Sequence, residues 1–238
     1  MVRTIAETGS TNADLLALAL ARDGVAEEGV WLRAERQGAG RGRQGRVWAS
    51  PPGNLYASTV VRLRPGEPPT PTLGFVAAVA LESVVADLLV AGRRSLILKW
   101  PNDLLLGGAK LSGILLERAD EVVVIGVGVN LAHAPDLPDR RTTSLAEHGI
   151  TIAPAAFADQ LAASFARWLL TWRTDGFAPV RQRWLARAHP PGTPLRAALP
   201  DGQVVEGAFE DMGGDGALIL RLADGALRSI HAGDVFLV

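Results

Sequence analysis

The chain has no cysteine. That excludes disulfides, thiolate nucleophiles and cysteine metal sites together, and it fits a reducing compartment. Lysine is nearly absent as well. Of 24 basic residues only Lys99 and Lys110 are lysines, and they lie within one short stretch. A drift toward arginine removes any lysine that serves only as a surface cation, so the two survivors are candidates for work that needs a compact charge on a flexible stem. Asparagine is also scarce: Asn12, Asn54, Asn102 and Asn130 are the full set. The chain lacks an excess of either charge. A net charge of −1 argues for neither a nucleic-acid nor a membrane partner. It lacks an apolar run near its start, so no signal peptide is expected there, and the expected location is cytoplasmic. The most apolar stretch, residues 73–90, contains Glu82 and Asp87. Both would be costly in lipid, so this segment reads as a buried helix.

What is present describes a soluble globular protein, with 48% hydrophobic and 21% charged residues. A length of 238 residues accommodates one large or two unequal domains. Ser10, Thr11 or Asn12 can cap a helix over 13–20. Strands are expected at 30–34, 55–63, 95–100, 112–117 and 121–129, with helices at 73–91, 154–172 and 177–188. Residues 37–53 read as a loop. After residue 189 the texture changes to short apolar runs separated by Asp201-Gly202, Asp215-Gly216 and Asp224-Gly225. Asp-Gly between such runs signals hairpins. The expected division is therefore 1–189 followed by a barrel of about five strands over 190–238.

Three segments carry chemistry. Gly40-Arg-Gly-Arg-Gln-Gly45 has the spacing of a dinucleotide fingerprint, but Pro51, Pro52 and Gly53 follow it where a helix is required, and that reading is rejected. What remains is a loop whose glycines let backbone N–H groups approach an anion. Arg41, Arg43 and Arg46 supply planar forks for carboxylate or phosphate. The plain alternative is a flexible basic surface loop. Its like charges repel and it has little to bury, so ligand is expected to be needed for its order. The second segment runs from Lys99 to Gly113. Asp103 sits in an expected turn, where it caps local backbone, orients a polar ligand or holds magnesium. Lys110, in an expected loop among glycines, suits a carboxylate that becomes an acyl phosphate. The third, Gly126-Val-Gly-Val-Asn130, ends an apolar strand. The four histidines have no metal-ligand spacing.

Together these segments, with Ser10-Thr11-Asn12 before them and Lys110-Leu-Ser-Gly-Ile-Leu115 between them, resemble the biotin–protein ligases in order and spacing. The resemblance runs from about residue 5 to the C-terminus. It implies an α+β fold, a mixed sheet flanked by helices like that of class II synthetases, followed by an SH3-like barrel. It implies an enzyme that activates biotin with ATP and Mg2+ as biotinyl-AMP and passes it to a lysine of a biotin carboxyl carrier protein, such as that of acetyl-CoA carboxylase. By the same resemblance Ser10, Thr11, Asn12 and Gln37 would bind the ureido head, with Trp48 and Gly113 walling the biotin site. Arg41, Gly42 and Arg43 would hold the carboxylate and then the phosphate. Arg43 and Lys110 would be catalytic. Arg46, Asn102, Asp103 and Asn130 would face the nucleotide, and Asp103 would be the magnesium ligand.

Some relatives begin with a winged helix-turn-helix, whereas only nine residues precede Ser10 here. A ligase without a repressor role or nucleic-acid partner is therefore expected, as a monomer or homodimer. Gln44 stands where relatives often have another basic residue. Lipoate–protein ligase, with a related fold and chemistry, is the nearest alternative. A non-enzymatic regulator and an inert interaction module are others.

Overall fold

A computed structural model describes residues 1–21, 26–89, 95–138 and 140–238. A seven-stranded sheet forms its larger part. The strands are β1 (Val2–Thr8), β2 (Trp31–Gln37), β3 (Leu55–Arg62), β4 (Leu96–Lys99), β5 (Asp103–Leu106), β6 (Ala109–Ala119) and β7 (Val122–Val129). Their order is β1-β2-β3-β7-β6-β5-β4. β1 runs parallel to β2, and the other neighbours are antiparallel. The sheet is thus mixed, as expected.

Helices cover both faces. On one side lie α2 (Leu73–Leu88) and α3 (Pro154–Thr174). α2 is buried along most of its circumference, the pattern of a central helix. Glu82 within it is fully buried, and Arg183 and Arg187 reach its carboxylate at 2.6 and 2.9 Å. Arg183 lies in α4 (Ala178–Leu185) and Arg187 just beyond it. These partners make a buried charge tolerable there. The expected end of this helix, at 91, lies outside the described residues. The other face carries α1 (Thr11–Leu20), capped by Ser10, whose hydroxyl accepts from the Ala13 N–H.

β7 shows how one sequence serves both faces. Val123, Ile125, Val127 and Val129 enter the main core, while Val122 and Val124 pack with Leu15 and Ala19 of α1. Further along that second face come Gly126 and Gly128. Side chains vanish there, and a cavity opens.

The C-terminal part is an SH3-like barrel of β8 (Pro194–Ala198), β9 (Val204–Met212), β10 (Leu218–Arg221), β11 (Leu227–Ile230) and β12 (Asp234–Leu237), ordered β11-β10-β9-β8-β12. The Asp-Gly signals mark its turns. Asp201, Asp215 and Asp224 each accept from the backbone N–H two residues on, and the glycine between takes a left-handed φ of 84° to 87°.

Two strands escaped the sequence reading. β1 is an edge strand without a continuous apolar face. β5 fills what was expected to be a turn and loop. Gly107 and Gly108, with φ of 60° and 77°, make a tight hairpin between β5 and β6. Lys110 therefore sits on a strand rather than in a loop.

Candidate active site

The cavity above Gly126 and Gly128 has a volume of about 420 Å³, a size suited to a small molecule. Strand register builds its floor. Ser58, Gly126 and Leu115 form one row across β3, β7 and β6, and Tyr56, Gly128 and Gly113 form the next. Each glycine of β7 is a notch. A Cβ on Gly126 would collide with Asn12 Oδ1, and one on Gly128 would lie 2.5 Å from Trp48 Cε2. The alternation Gly-Val-Gly-Val thus seats one polar and one aromatic side chain while the valines fill the core.

Part of the cavity wall belongs to a hydrogen-bonding cluster. Ser58 Oγ donates to Asn12 Oδ1 at 2.6 Å and lies 2.7 Å from Thr11 Oγ1. Gln37 Oε1 accepts from the Thr11 N–H at 2.9 Å, and Gln37 Nε2 donates to Ser50 Oγ at 3.3 Å. Asn12 Nδ2 donates to Glu117 at 2.9 Å and, more weakly, to Leu115 O at 3.4 Å. The Asn12 amide is therefore bonded by protein at both its oxygen and its nitrogen.

Another part is cationic. The 37–53 loop closes through an Arg41–Val47 bridge, with Trp48 N–H donating to Gly40 O at 2.9 Å. Each of its arginines has an acidic partner. Arg41 pairs with Glu117 at 3.3 Å, while Arg43 and Arg46 meet Asp234 of the barrel at 3.3 and 2.6 Å. Arg43 also donates to Gly233 O at 3.2 Å and to Asn102 Oδ1 at 3.4 Å. The expectation of an unsupported loop overlooked these partners, which offset the repulsion among the arginines. Burial pulls the Arg43 guanidinium below its usual range, and Asp234 opposes that pull.

Lys110 Nζ donates to Asp103 Oδ1 at 2.6 Å and lies 5.6 Å from the Trp48 ring. Lys99 also lines the cavity, 5.6 Å from the Phe236 ring, and burial lowers its pKa against the opposing pull of Asp103. Asn130 lines the wall, and its amide donates to Thr143 O at 3.1 Å. Tyr56 donates to Pro51 O at 2.7 Å, and burial pushes its hydroxyl up to about 12.

All the residues that the resemblance assigned to the site, Ser10 and Gly42 included, line this one cavity. Asn54 does not. Its amide clamps the backbone of Ala132 and His133, which is a structural task. Ser58, Glu117 and Asp234 were missed. They are common residue types whose place is set by register or by the barrel. The one available signal, Gly126 and Gly128 alternating in an apolar strand, marks a close approach without naming what approaches.

A cavity lined by a hydrogen-bonding cluster and by three arginines is the kind of enzyme site that suits an acidic small molecule. Comparison with known proteins narrows this. Residues 19–130 match the biotin/lipoate A/B protein ligase family, and residues 192–238 match the biotin protein ligase C-terminal domain. The chain is 42% identical to a biotin–[acetyl-CoA-carboxylase] ligase of Paracoccus denitrificans, with 98% of each covered. It is 38% identical to a ligase of the same name from Mycobacterium tuberculosis, with 97% of this chain and 86% of that protein covered. A solved structure, biotin protein ligase from Aquifex aeolicus in complex with biotin and ATP, has the same fold: TM-score 0.85 at 21% identity, over 100% of this chain and 99% of that one. The chain belongs to the biotin protein ligase family.

Proposed function

We propose that this enzyme joins biotin and ATP into biotinyl-AMP and then transfers biotin to a lysine of a biotin carboxyl carrier domain. One observation supports it most: residues of the hydrogen-bonding cluster and of the arginine loop line a single cavity whose floor includes Gly126 and Gly128. Biotin has a polar ureido head and a distant carboxylate, and the cavity offers a partner for each. The Ser10 hydroxyl proton and the second N–H of the Gln37 amide remain available for the head. Lipoate, the alternative acid, ends in an apolar dithiolane that would leave such groups unpaired at a cost of about 1–3 kcal/mol each.

A carboxylate and a nucleotide repel, and activation requires them to meet in line. Arg41, Arg43, Arg46 and Lys110 offset that repulsion and stabilise the charge that builds at the α-phosphate as pyrophosphate leaves. Asn102 and Asn130 border the nucleotide side. The mixed anhydride is then attacked by the carrier's lysine amine, AMP departs, and an amide remains. No enzyme nucleophile is required. Trp48 and the arginine loop cover the intermediate and exclude water.

Magnesium enters with the nucleotide as part of that substrate. Asp103, expected to bind it, accepts from Lys110 Nζ at 2.6 Å. Asp103 thus positions the Lys110 ammonium. Pyrophosphate–ATP exchange tests the whole reading. Exchange should require biotin, and exchange that lipoate alone supports would reassign the acid.

A further inference from the structure

We infer that Glu117 is a positioning residue that couples the hydrogen-bonding cluster to the arginine loop. This deepens the biotin and ATP reading above and rests on it. On β6, residues 113, 115 and 117 share one face, so the strand that carries Gly113 and Leu115 under the cavity brings Glu117 beside Asn12 and Arg41, both of which line it. Both carboxylate oxygens are used. Oε2 accepts from Asn12 Nδ2 at 2.9 Å, and Oε1 lies 3.3 Å from Arg41 Nη2.

Proton bookkeeping gives the chain of bonds a direction. Ser58 has one hydroxyl proton and donates it to Asn12 Oδ1. Thr11 is then the donor to Ser58 across the shorter distance of 2.7 Å, and its single proton leaves the 3.1 Å contact with Gln37 Oε1 unbonded. Thr11 donates to Ser58, Ser58 to Asn12, Asn12 to Glu117, and Arg41 reaches Glu117 from the far side. Thr11, Asn12 and Ser58 are 3%, 4% and 0% exposed. A buried series of this kind leaves little slack, because each unmade bond is expensive.

Taken alone, Arg41–Glu117 is an ordinary rim ion pair, 48% and 28% exposed, of a kind that contributes little. The second oxygen changes that. It anchors a buried amide that has no other anionic partner, so movement of Asn12 and movement of Arg41 share one carboxylate. An acid seated against Thr11 and Asn12 therefore steadies Glu117 and, through it, the Arg41 side of the loop. Binding at the cluster biases closure of the loop.

Two variants separate the halves of this link. Glu117→Gln keeps an acceptor for Asn12 and loses the charge facing Arg41. Its biotin affinity should stay within about twofold of wild type, while biotinyl-AMP release accelerates about two- to fivefold. Raising salt should speed release from wild type and leave the variant unmoved. Glu117→Ala loses both contacts and should weaken biotin binding roughly tenfold as well. A purely structural role predicts no such split, only a smaller active fraction. Melting temperatures of both variants control for folding, and if Glu117→Ala does not fold, Glu117→Gln decides the matter alone. Unchanged release, or a parallel loss of affinity and retention, overturns the coupling. A wild-type enzyme without biotin-dependent exchange overturns the function and the coupling together. A competent wild type without the split overturns the coupling alone.

Discussion

Lys110 shows what a single residue can reveal. Where almost every cation is arginine, a lysine bonded to Asp103 at 2.6 Å and nearly buried marks a place that arginine does not fit. Its charge matters most when negative charge is redistributed between carboxylate and phosphate. Lys110→Ala should therefore depress biotin-dependent adenylation by about 10²–10³-fold while biotin affinity moves less than about threefold. Lys110→Arg should not restore the rate, because a planar fork cannot replace a compact ammonium in the same space. Equal losses in binding and adenylation, measured by titration and pyrophosphate exchange, would remove Lys110 from the chemical step. Scarcity made Lys110, Asn12, Asn102 and Asn130 legible in the sequence. Glu117 and Asp234 were not, since each is one of 25 acidic residues and acquires meaning only through what folding brings beside it. Asn54, equally scarce, shows the limit of the argument: rarity marked it, and its task is to hold a loop.

At the scale of elements, periodicity gave the long helices and the apolar strands, because burial on one face or both leaves a pattern. It missed β1, an edge strand, and β5, whose first residue lines the cavity and whose hairpin partner begins only after two glycines. β7 is the most informative element. Its valines belong to the core, and its two glycines are empty positions reserved for side chains from elsewhere. Gly128→Ala tests this. The added methyl would fall within 2.5 to 2.8 Å of three atoms of the Trp48 indole, so the ring must leave its seat. The face in question lines the cavity and not the core, and folding stability should change little. Displacement of a site wall by about an ångström costs about 10²-fold in rate. The expected result is a fall of that order in kcat/KM with a near-native melting temperature and a shifted tryptophan emission. A large loss of stability with normal emission would show instead that the glycine serves packing.

At the scale of the molecule, the barrel and the larger sheet share one core. Phe75 of α2, Trp184 of α4, and Leu195, Phe209 and Leu218 of the barrel belong to the same buried cluster. Phe75 meets Trp184 edge-to-face at 5.6 Å. Polar contacts repeat the connection: Trp100 Nε1 donates to Gly216 O at 3.0 Å, Arg181 donates to Met212 O at 2.6 Å, and Arg43 and Arg46 reach Asp234. The change of texture near residue 190 showed a new architecture. It gave no sign that the barrel is welded to its neighbour, or that it completes the arginine loop by supplying Asp234. A shared core makes the two parts unfold together, since neither can separate without exposing the other's apolar surface. Urea unfolding should therefore give coincident transitions by tryptophan emission, concentrated in the larger part, and by a label placed in the barrel. Trp100→Phe removes the donor to Gly216 O and leaves a buried carbonyl unpaired, at a cost of about 1–3 kcal/mol. If the core is continuous, that loss lowers the single transition for both probes by the same amount. Two transitions, with only the barrel's midpoint moved, would mean that the interface is a docking contact between independently folded parts.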